Sequence, residues 1–461
     1  MLGYNMPNHT NRRQKEYMPK LTVIGAGVSG QGLALLAHTL GEKVLVSEQK
    51  NIPEDVKALF TQNDIAYEEG HSHKVFDDTR EILISSGIPP QSEILREAEK
   101  RGFTLTGELD YVLPHIRTNN LVCVTGSNGK STVTSLIGHI LTKAGLKAGT
   151  GGNLGTSSAK FTQEDFDAVV LELSSFQLAR ATKNLRAKVS IITNLAPDHI
   201  DWHGSYEAYV EAKSRVLTLR DPEGWGIIQD RDYDTLNPSG KIITLSWTPS
   251  PSHAVTGHIF MRDNDAALTL NGETITLFTY TDTTLIGTHN LENVAMSLCA
   301  AHLLGVTGSV KNLLSGFRPL PHRCEHAGTI DGVQYIDDSK GTNVAATITA
   351  MQCIPGRKVI ILGGQGKGED YAPLADAVKI ECDYAVLLGE EAGKIQAALE
   401  NAGFTNYRRA ASMDEAVKVS RSLASSGMVV LLSPACTSWD MYPSYKARGE
   451  HFCRLVSEMM S

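Results

Sequence analysis

One passage constrains this chain more than any other. An apolar run, LVCVT at 121–125, breaks into Gly126-Ser-Asn-Gly-Lys-Ser-Thr132 and then into the amphipathic pattern of residues 130–144. A buried strand, a glycine turn and a helix in that order belong to a parallel α/β sheet. Backbone N–H groups at the head of such a helix, together with its dipole, receive phosphate oxygens. Gly126, Ser127, Asn128 and Gly129 would form the cradle, Lys130 would neutralise the terminal phosphates, and Ser131 or Thr132 would offer a hydroxyl to Mg2+. Position 124 is Val, so the loop is shorter than the general G-x-x-x-x-G-K-[ST] spacing. The strand–turn–helix setting therefore carries the reading of a nucleoside triphosphate loop.

The α/β rhythm repeats on both sides of that loop. At 461 residues the chain has room for about three domains. We expect a tail at 1–19, a Rossmann-like domain at 20–114, a central P-loop domain at 115–318 with a parallel sheet plus a small antiparallel sheet, and a Rossmann-like domain at 319–461. Strands are expected at 21–25, 44–47 and 82–85, then at 121–125, 168–173 and 189–194, and finally in VQYID, KVIILGG, YAVLLG and VVLLSP. Short alternating strands between 241 and 288, with Asn271-Gly272 between two of them, read as a hairpin. RPLPHR at 318–323 reads as a linker. A formal charge of −8 argues against a nucleic-acid partner, because duplex binders need a basic surface. Seven scattered cysteines without a CxxC pair point to a reducing compartment rather than a disulfide framework. Without a long apolar stretch or a secretory leader, we expect a cytoplasmic protein that is not membrane-bound.

Other loops at strand ends carry chemistry-bearing residues. Gly25-Ala-Gly27-Val-Ser-Gly30 is a complete G-x-G-x-x-G, and Glu48 ends the next strand. This predicts a diphosphate-containing ligand whose identity the motif leaves open, a nicotinamide dinucleotide included. Glu172 ends a strand beside the P-loop strand, where a Mg2+-linked acid belongs, and is followed by Ser174, Ser175 and Gln177. Asn153, and the cluster Asn194, Asp198, His199 and Asp201, occupy further strand-to-helix connections. Asp337-Asp-Ser-Lys-Gly-Thr-Asn343 follows another strand, with Asp338, Ser339 and Thr342 as possible helix caps. Gly363-Gly-Gln-Gly-Lys-Gly368 and Ser433-Pro-Ala-Cys-Thr-Ser438 would lie on the same sheet edge, and Arg323 could either enter a site or pair with Glu325.

TGSNGKST, GGNLG, LELSSFQL, DHIDWH, HNLENV, HRCE, DDSKGTN, GGQGKG and SPACTSWD occur in the order found in the Mur ligases, which this sequence resembles from about residue 20 to its C-terminus. DDSKGTN is the most specific and resembles the members that add D-glutamate. The resemblance implies a three-domain, ATP-dependent amide-bond ligase of peptidoglycan precursor synthesis, acting as a monomer on UDP-N-acetylmuramoyl-L-alanine and D-glutamate. It places the UDP-sugar near Gly27, Val28, Ser29, Glu48, Ser86, Gly87, Asn153 and Ser174. It adds Asn290, Asn293, Arg323 and Asp338 to the ATP contacts, and gives Mg2+ to Ser131, Glu172, His199 and Lys213, the last as an N6-carboxylated lysine. Lys130, Asp198, His199 and Lys213 become the catalytic set. Lys340 falls in the substrate loop; Thr342, Lys367, Ser438 and Tyr445 fall to D-glutamate. Three departures stand out: Cys324 where an aromatic is common, Tyr445 where Phe is common, and Ser47-Glu48-Gln49 after the second strand in place of an Asp-Thr-Arg-like set. The rival readings are a nicotinamide-dependent oxidoreductase built on Gly25–Gly30 and Glu48, a P-loop switch or transport ATPase, and a sister ligase or folylpolyglutamate synthase.

Overall fold

The computed structural model describes residues 20–285, 287–318 and 321–460. The tail at 1–19, and Pro319 and Leu320 of the expected linker, lie outside the described residues. The chain divides into two compact units between Val112 and Leu113.

The first unit contains β1 (Lys20–Ile24), β2 (Val44–Glu48), β3 (Ala66–Glu69), β4 (Thr79–Ile84) and β5 (Leu105–Gly107), arranged β3-β2-β1-β4-β5. All four pairings are parallel. The order reverses at β1, and in open α/β sheets a ligand crevice lies beyond the strands' carboxyl ends at such a point.

The second unit carries two sheets. The first contains β6 (Leu121–Thr125), β7 (Ala148–Gly152), β8 (Ala168–Glu172), β9 (Val189–Ile192), β10 (Trp225–Gln229), β11 (Lys241–Ser246), β12 (Gly257–Met261), β13 (Asp265–Leu270) and β14 (Glu273–Thr279). Their order is β14-β13-β12-β11-β10-β9-β6-β8-β7. The expected antiparallel strands are present, and they extend the parallel sheet edge to edge. Asn271 and Gly272 adopt φ of 52° and 85°, the left-handed pair that a two-residue hairpin turn needs. The central strands are apolar throughout because helices cover both faces, and the helix Lys130–Lys143 buries Val133, Leu136, Ile137, Ile140 and Leu141 against them.

The second sheet of this unit contains β15 (Glu325–Ile330), β16 (Val333–Asp337), β17 (Lys358–Gly363), β18 (Tyr384–Leu388), β19 (Tyr407–Arg409) and β20 (Val429–Leu432), ordered β15-β16-β20-β17-β18-β19. Only β15 runs antiparallel to its neighbour among the described pairings. The last strand, β20, sits between β16 and β17. DDSKGTN, GGQGKG and SPACTS therefore emerge side by side at one sheet edge.

Candidate active site

The loop after β6 is shaped by two glycines and by the next strand's connection. Gly126 (φ 142°) lies so close to Thr193 that a Cβ would stand 2.0 Å from its Oγ1; on Gly129 (φ 81°) a Cβ would stand 2.5 Å from Asn293 Oδ1. Ser127 N–H donates to Asn194 O at 2.9 Å, and the Asn194 amide bonds both the N–H and the C=O of Asn128 at 3.0 Å. Asn194 thus acts as a side-chain strand edge for the turn. Lys130, at the helix start, donates to Gly126 O (2.8 Å) and Ser127 O (2.7 Å).

Around this loop the structure gathers the predicted polar residues into two adjoining cavities. The smaller, about 140 Å³, is lined by Lys130, Ser131, Asn153, Glu172, Ser174, Asp198, His199, Lys213, Thr342 and Lys367, among others. Asn153 donates to Glu172 Oε1 at 2.8 Å, while Glu172 Oε2 is buried with no hydrogen-bond partner. Against burial, Lys130, Asn153 and Arg323 hold the Glu172 carboxyl below its ordinary pKa. Asn153 and Ser174, expected beside the nucleotide sugar, share this cavity with the P-loop lysine.

Asp198 Oδ1 and Lys367 Nζ form an ion pair at 2.8 Å, and both side chains are buried. Burial pushes the Asp198 carboxyl up, but Lys367, His199 and Lys130 together hold it well below the usual range. His199 caps a short helix in the left-handed conformation (φ 53°), and its ring meets Phe176 edge-on at 4.8 Å. Burial lowers its pKa to about 3, against Asp198, so the imidazole is neutral and keeps a lone pair. Lys213 is 2% exposed; its Nζ reaches Gly126 O at 2.7 Å and lies 4.6 Å from the Tyr209 ring. Burial, and then Lys130, push its ammonium well below the ordinary lysine pKa.

The Asp198–Lys367 pair makes a stability test. Lys367→Met would leave a buried carboxylate unpaired, at an expected cost of about 3 kcal/mol at pH 7. A depressed carboxyl stabilises the fold above its unfolded value, ordinarily 3.8, and that contribution fades as pH falls through the folded value. The gap in urea midpoint between native chain and variant should therefore be wide at pH 7 and narrow toward pH 3. Equal midpoints at pH 7 would mean that the pair contributes nothing.

The larger cavity, about 270 Å³, is lined by Asn128, Gly129, Thr132, Asn290, Asn293, Arg323, Cys324, Asp338 and Lys340, among others. Asn293 Nδ2 donates to Asn290 Oδ1 at 3.3 Å. Arg323 does not take the alternative of pairing with Glu325: its Nη2 donates to Ser131 Oγ at 2.8 Å, while Glu325 accepts the His322 N–H. Asp338 accepts from Ser433 Oγ (2.6 Å) and Cys324 N–H (3.3 Å), and burial pushes its pKa up to about 7. Burial, then Arg323, lower Lys340 to about 7; its Nζ stands 4.0 Å from the Tyr445 ring.

Not every expected residue lines a cavity. Ser438 is buried with its hydroxyl unpartnered; Tyr445 lines neither of these cavities, and its ring stands 4.0 Å from Lys340 Nζ. The expected caps at Asp338, Ser339 and Thr342 give way to Asn343, whose side chain accepts the Ala346 N–H. Sequence reasoning also passed over Tyr209, bonded to Ser127 at 2.8 Å, and Arg448, which ties Ser339 to the carbonyls of Cys436 and Thr437. Arg448 lies eight residues beyond the end of the SPACTSWD motif at Asp440, and a helical arginine carries no signal of its own.

In the first unit, a cavity of about 1300 Å³ is lined by Glu48, Gly70, His71, Ser72, Gly87 and Arg96, among others. Glu48 Oε2 accepts the Ala26 N–H at 2.8 Å, so the acid braces the glycine turn. Ser29 is bonded to Glu108 and Val28 is 57% exposed; they, Gly27 and Ser86 are not among that cavity's lining residues.

With this geometry in place, the comparisons are decisive about kinship. Residues 20–94 match the MurD N-terminal domain, 124–301 the Mur ligase middle domain, and 322–436 the Mur ligase glutamate ligase domain. The UDP-N-acetylmuramoylalanine–D-glutamate ligase of Bacteroides thetaiotaomicron is 33% identical over 449 residues, covering 96% of this chain and 100% of that protein. That of Natranaerobius thermophilus is 34% identical over 453 residues, covering 95% and 97%. Among solved structures, the UDP-N-acetylmuramate–alanine ligase MurC of Thermotoga maritima shares the fold with a TM-score of 0.60 at 18% identity, over 95% of this chain and 99% of that one. The chain belongs to the Mur ligase family, and within it to the UDP-N-acetylmuramoylalanine–D-glutamate ligases.

Proposed function

We propose that this chain is the ATP-dependent ligase that joins D-glutamate to UDP-N-acetylmuramoyl-L-alanine, releasing ADP and phosphate, in peptidoglycan precursor synthesis in the cytoplasm. One observation carries the reading: Lys130, Glu172, Asp198, His199, Lys213 and Lys367, from a strand end, loops and helices around both sheets of the second unit, line one cavity. The first unit's large cavity would take the uridine diphosphate portion, and the 270 Å³ cavity beside Asn290 and Asn293 the adenosine.

A carboxylate is a poor electrophile, so amide formation requires activation. The substrate carboxylate attacks the γ-phosphorus of ATP, the bond to the β–γ bridging oxygen breaks, and ADP departs. The amine of D-glutamate then adds to the acyl phosphate, loses its proton, and phosphate leaves. Lys130 and Arg323 offset charge on the transferring group. Lys367, held by Asp198, supplies a fixed cation beside the reacting groups. Glu172, with its free buried oxygen, the Ser131 hydroxyl and the neutral His199 make a donor set fit for Mg2+, which when bound would neutralise phosphate charge. Lys213, buried and shifted toward its neutral amine, is suited to carboxylation and would then join that set.

Phosphate release by the purified protein with ATP, UDP-N-acetylmuramoyl-L-alanine and a panel of D- and L-amino acids tests the proposal. D-glutamate alone should trigger sustained release. Release without any amino acid would favour a plain ATPase, and a response to L-alanine or a diamino acid would favour a sister ligase.

A further inference from the structure

We propose that the His322–Asp337 pair is the device that aims Arg323 at the nucleotide loop, an inference that rests on the ligase reading. Arg323 stands between two non-glycine residues in the left-handed region, His322 (φ 63°) and Cys324 (φ 47°), a backbone that L-residues avoid. Between them the Arg323 guanidinium goes to Ser131 Oγ and not to Glu325, the first residue of the strand that follows. Such a backbone persists only where the surroundings impose it.

The surroundings are two adjacent carboxylates at the end of β16. Asp337 Oδ2 and His322 Nδ1 are 2.6 Å apart, and Asp338 Oδ1 accepts the Cys324 N–H at 3.3 Å. The β15–β16 ladder, which pairs Glu325 with Asp337, sets this register. Glu325 accepts the His322 N–H at 2.8 Å, and His322 O accepts the Lys340 N–H at 3.1 Å. Asp337 is completely buried, its other oxygen takes the Ser339 N–H at 2.8 Å, and the Cys453 thiol lies 3.3 Å away. The helix Tyr445–Met460 closes the pair in: a Cβ on Gly449 would fall 2.3 Å from His322 Nδ1 and 2.6 Å from Asp337 Oδ2. The imidazole therefore has no room to swing, and Arg323 reaches Ser131 Oγ at 2.8 Å.

His322, Glu325 and Asp337 also bring possible metal-ligand atoms within 4.8 Å of one another. Two ligands of one tetrahedral ion with bonds of about 2.0–2.1 Å stand roughly 3.3 Å apart. The 2.6 Å His322–Asp337 distance is that of a charge-assisted hydrogen bond, not of two ligands sharing an ion.

The test is a double-mutant cycle on the full chain, read as kcat/KM for ATP, KM for D-glutamate, and thermal midpoint. Arg323→Ala is expected to lower kcat/KM for ATP about 100-fold, and His322→Ala about tenfold, with KM for D-glutamate unchanged. In the Arg323→Ala background, His322→Ala should add nothing to the loss, because the residue it positions is already gone. Asp337→Asn, which keeps an acceptor oxygen, should retain most activity where Asp337→Ala does not. Gly449→Ala, which displaces the pair without removing either member, gives the same readout should His322→Ala fail to fold. Additive losses in the cycle, whether run with His322→Ala or with Gly449→Ala, would overturn the inference while leaving Arg323 in the site. An Arg323→Ala protein with unchanged ATP kinetics would overturn both the inference and the role given to Arg323.

Discussion

Lys130→Ala is expected to fold normally and to lose ATP-dependent amide formation by about 1,000-fold, the scale seen when a donor aimed at developing transition-state charge is removed. Two features separate this outcome from a folding defect. The Lys130 ammonium is hydrogen-bonded only to two carbonyls of its own loop, Gly126 O and Ser127 O, among the described residues. It also stands among like charges, since Arg323 and Lys367 both push its pKa down after burial itself. Glu172 and Asp198 oppose them, but Asp198 already has Lys367 as a partner at 2.8 Å. Removing the cation therefore relieves repulsion as well as losing attraction, and the thermal midpoint should move by no more than a few degrees. Phosphate release and thermal melting on the same preparation decide the matter. Retained turnover would remove the P-loop from the reaction; a collapsed midpoint would make Lys130 a structural residue.

How far the sequence could be read depended on whether local chemistry or distant packing set each feature. β6, β9, β17 and β20 are apolar runs in parallel sheets covered on both faces, and their composition alone marks them. β7 was not legible: it reads AGTGG, and three glycines in five residues argue against a strand. Its glycines are there because Phe161 packs onto the backbone, where a Cβ at Gly149 or Gly151 would stand 2.7 Å from that ring. Lys130 and Glu172 were readable because each sits at a strand–helix junction of known chemistry. The Asp198–Lys367 pair joins residues 169 positions apart, and no spacing rule links them. The linker arginine was visible, yet its direction was not, because the carboxylates that fix its backbone belong to another strand. Lys213 is the sharpest case. On its helix, Tyr206–Thr218, it reads as a solvated lysine; what buries it is the packing of that helix on the sheet, which brings its Nζ to Gly126 O and Thr125 Oγ1.

That burial leads to the second large effect. Lys213→Ala is expected to cut ligation by about 1,000-fold, and small carboxylic acids such as formate or acetate should restore part of it. The geometry explains both halves. As an ammonium, Lys213 is out of place: it is 2% exposed and pushed toward its neutral form by burial and by Lys130. Its hydrogen-bond partners are Gly126 O and, at 3.4 Å, Thr125 Oγ1. A neutral amine is a nucleophile toward carbon dioxide: its nitrogen bonds to the carbon as one C=O π bond opens onto oxygen, one N–H proton is lost to solvent, and a carbamate anion remains. Carboxylation would replace a cation repelled by Lys130 with an anion attracted to it, and would supply oxygens in the cavity that Glu172 also lines, where a divalent cation would bind. Activity of the native chain should fall in carbon-dioxide-depleted buffer and return with bicarbonate, whereas Lys213→Ala should respond to acetate and ignore bicarbonate. A native enzyme indifferent to bicarbonate, with a Lys213→Ala variant that acids cannot rescue, would leave Lys213 a buried amine and return the metal to Glu172, Ser131 and His199 alone.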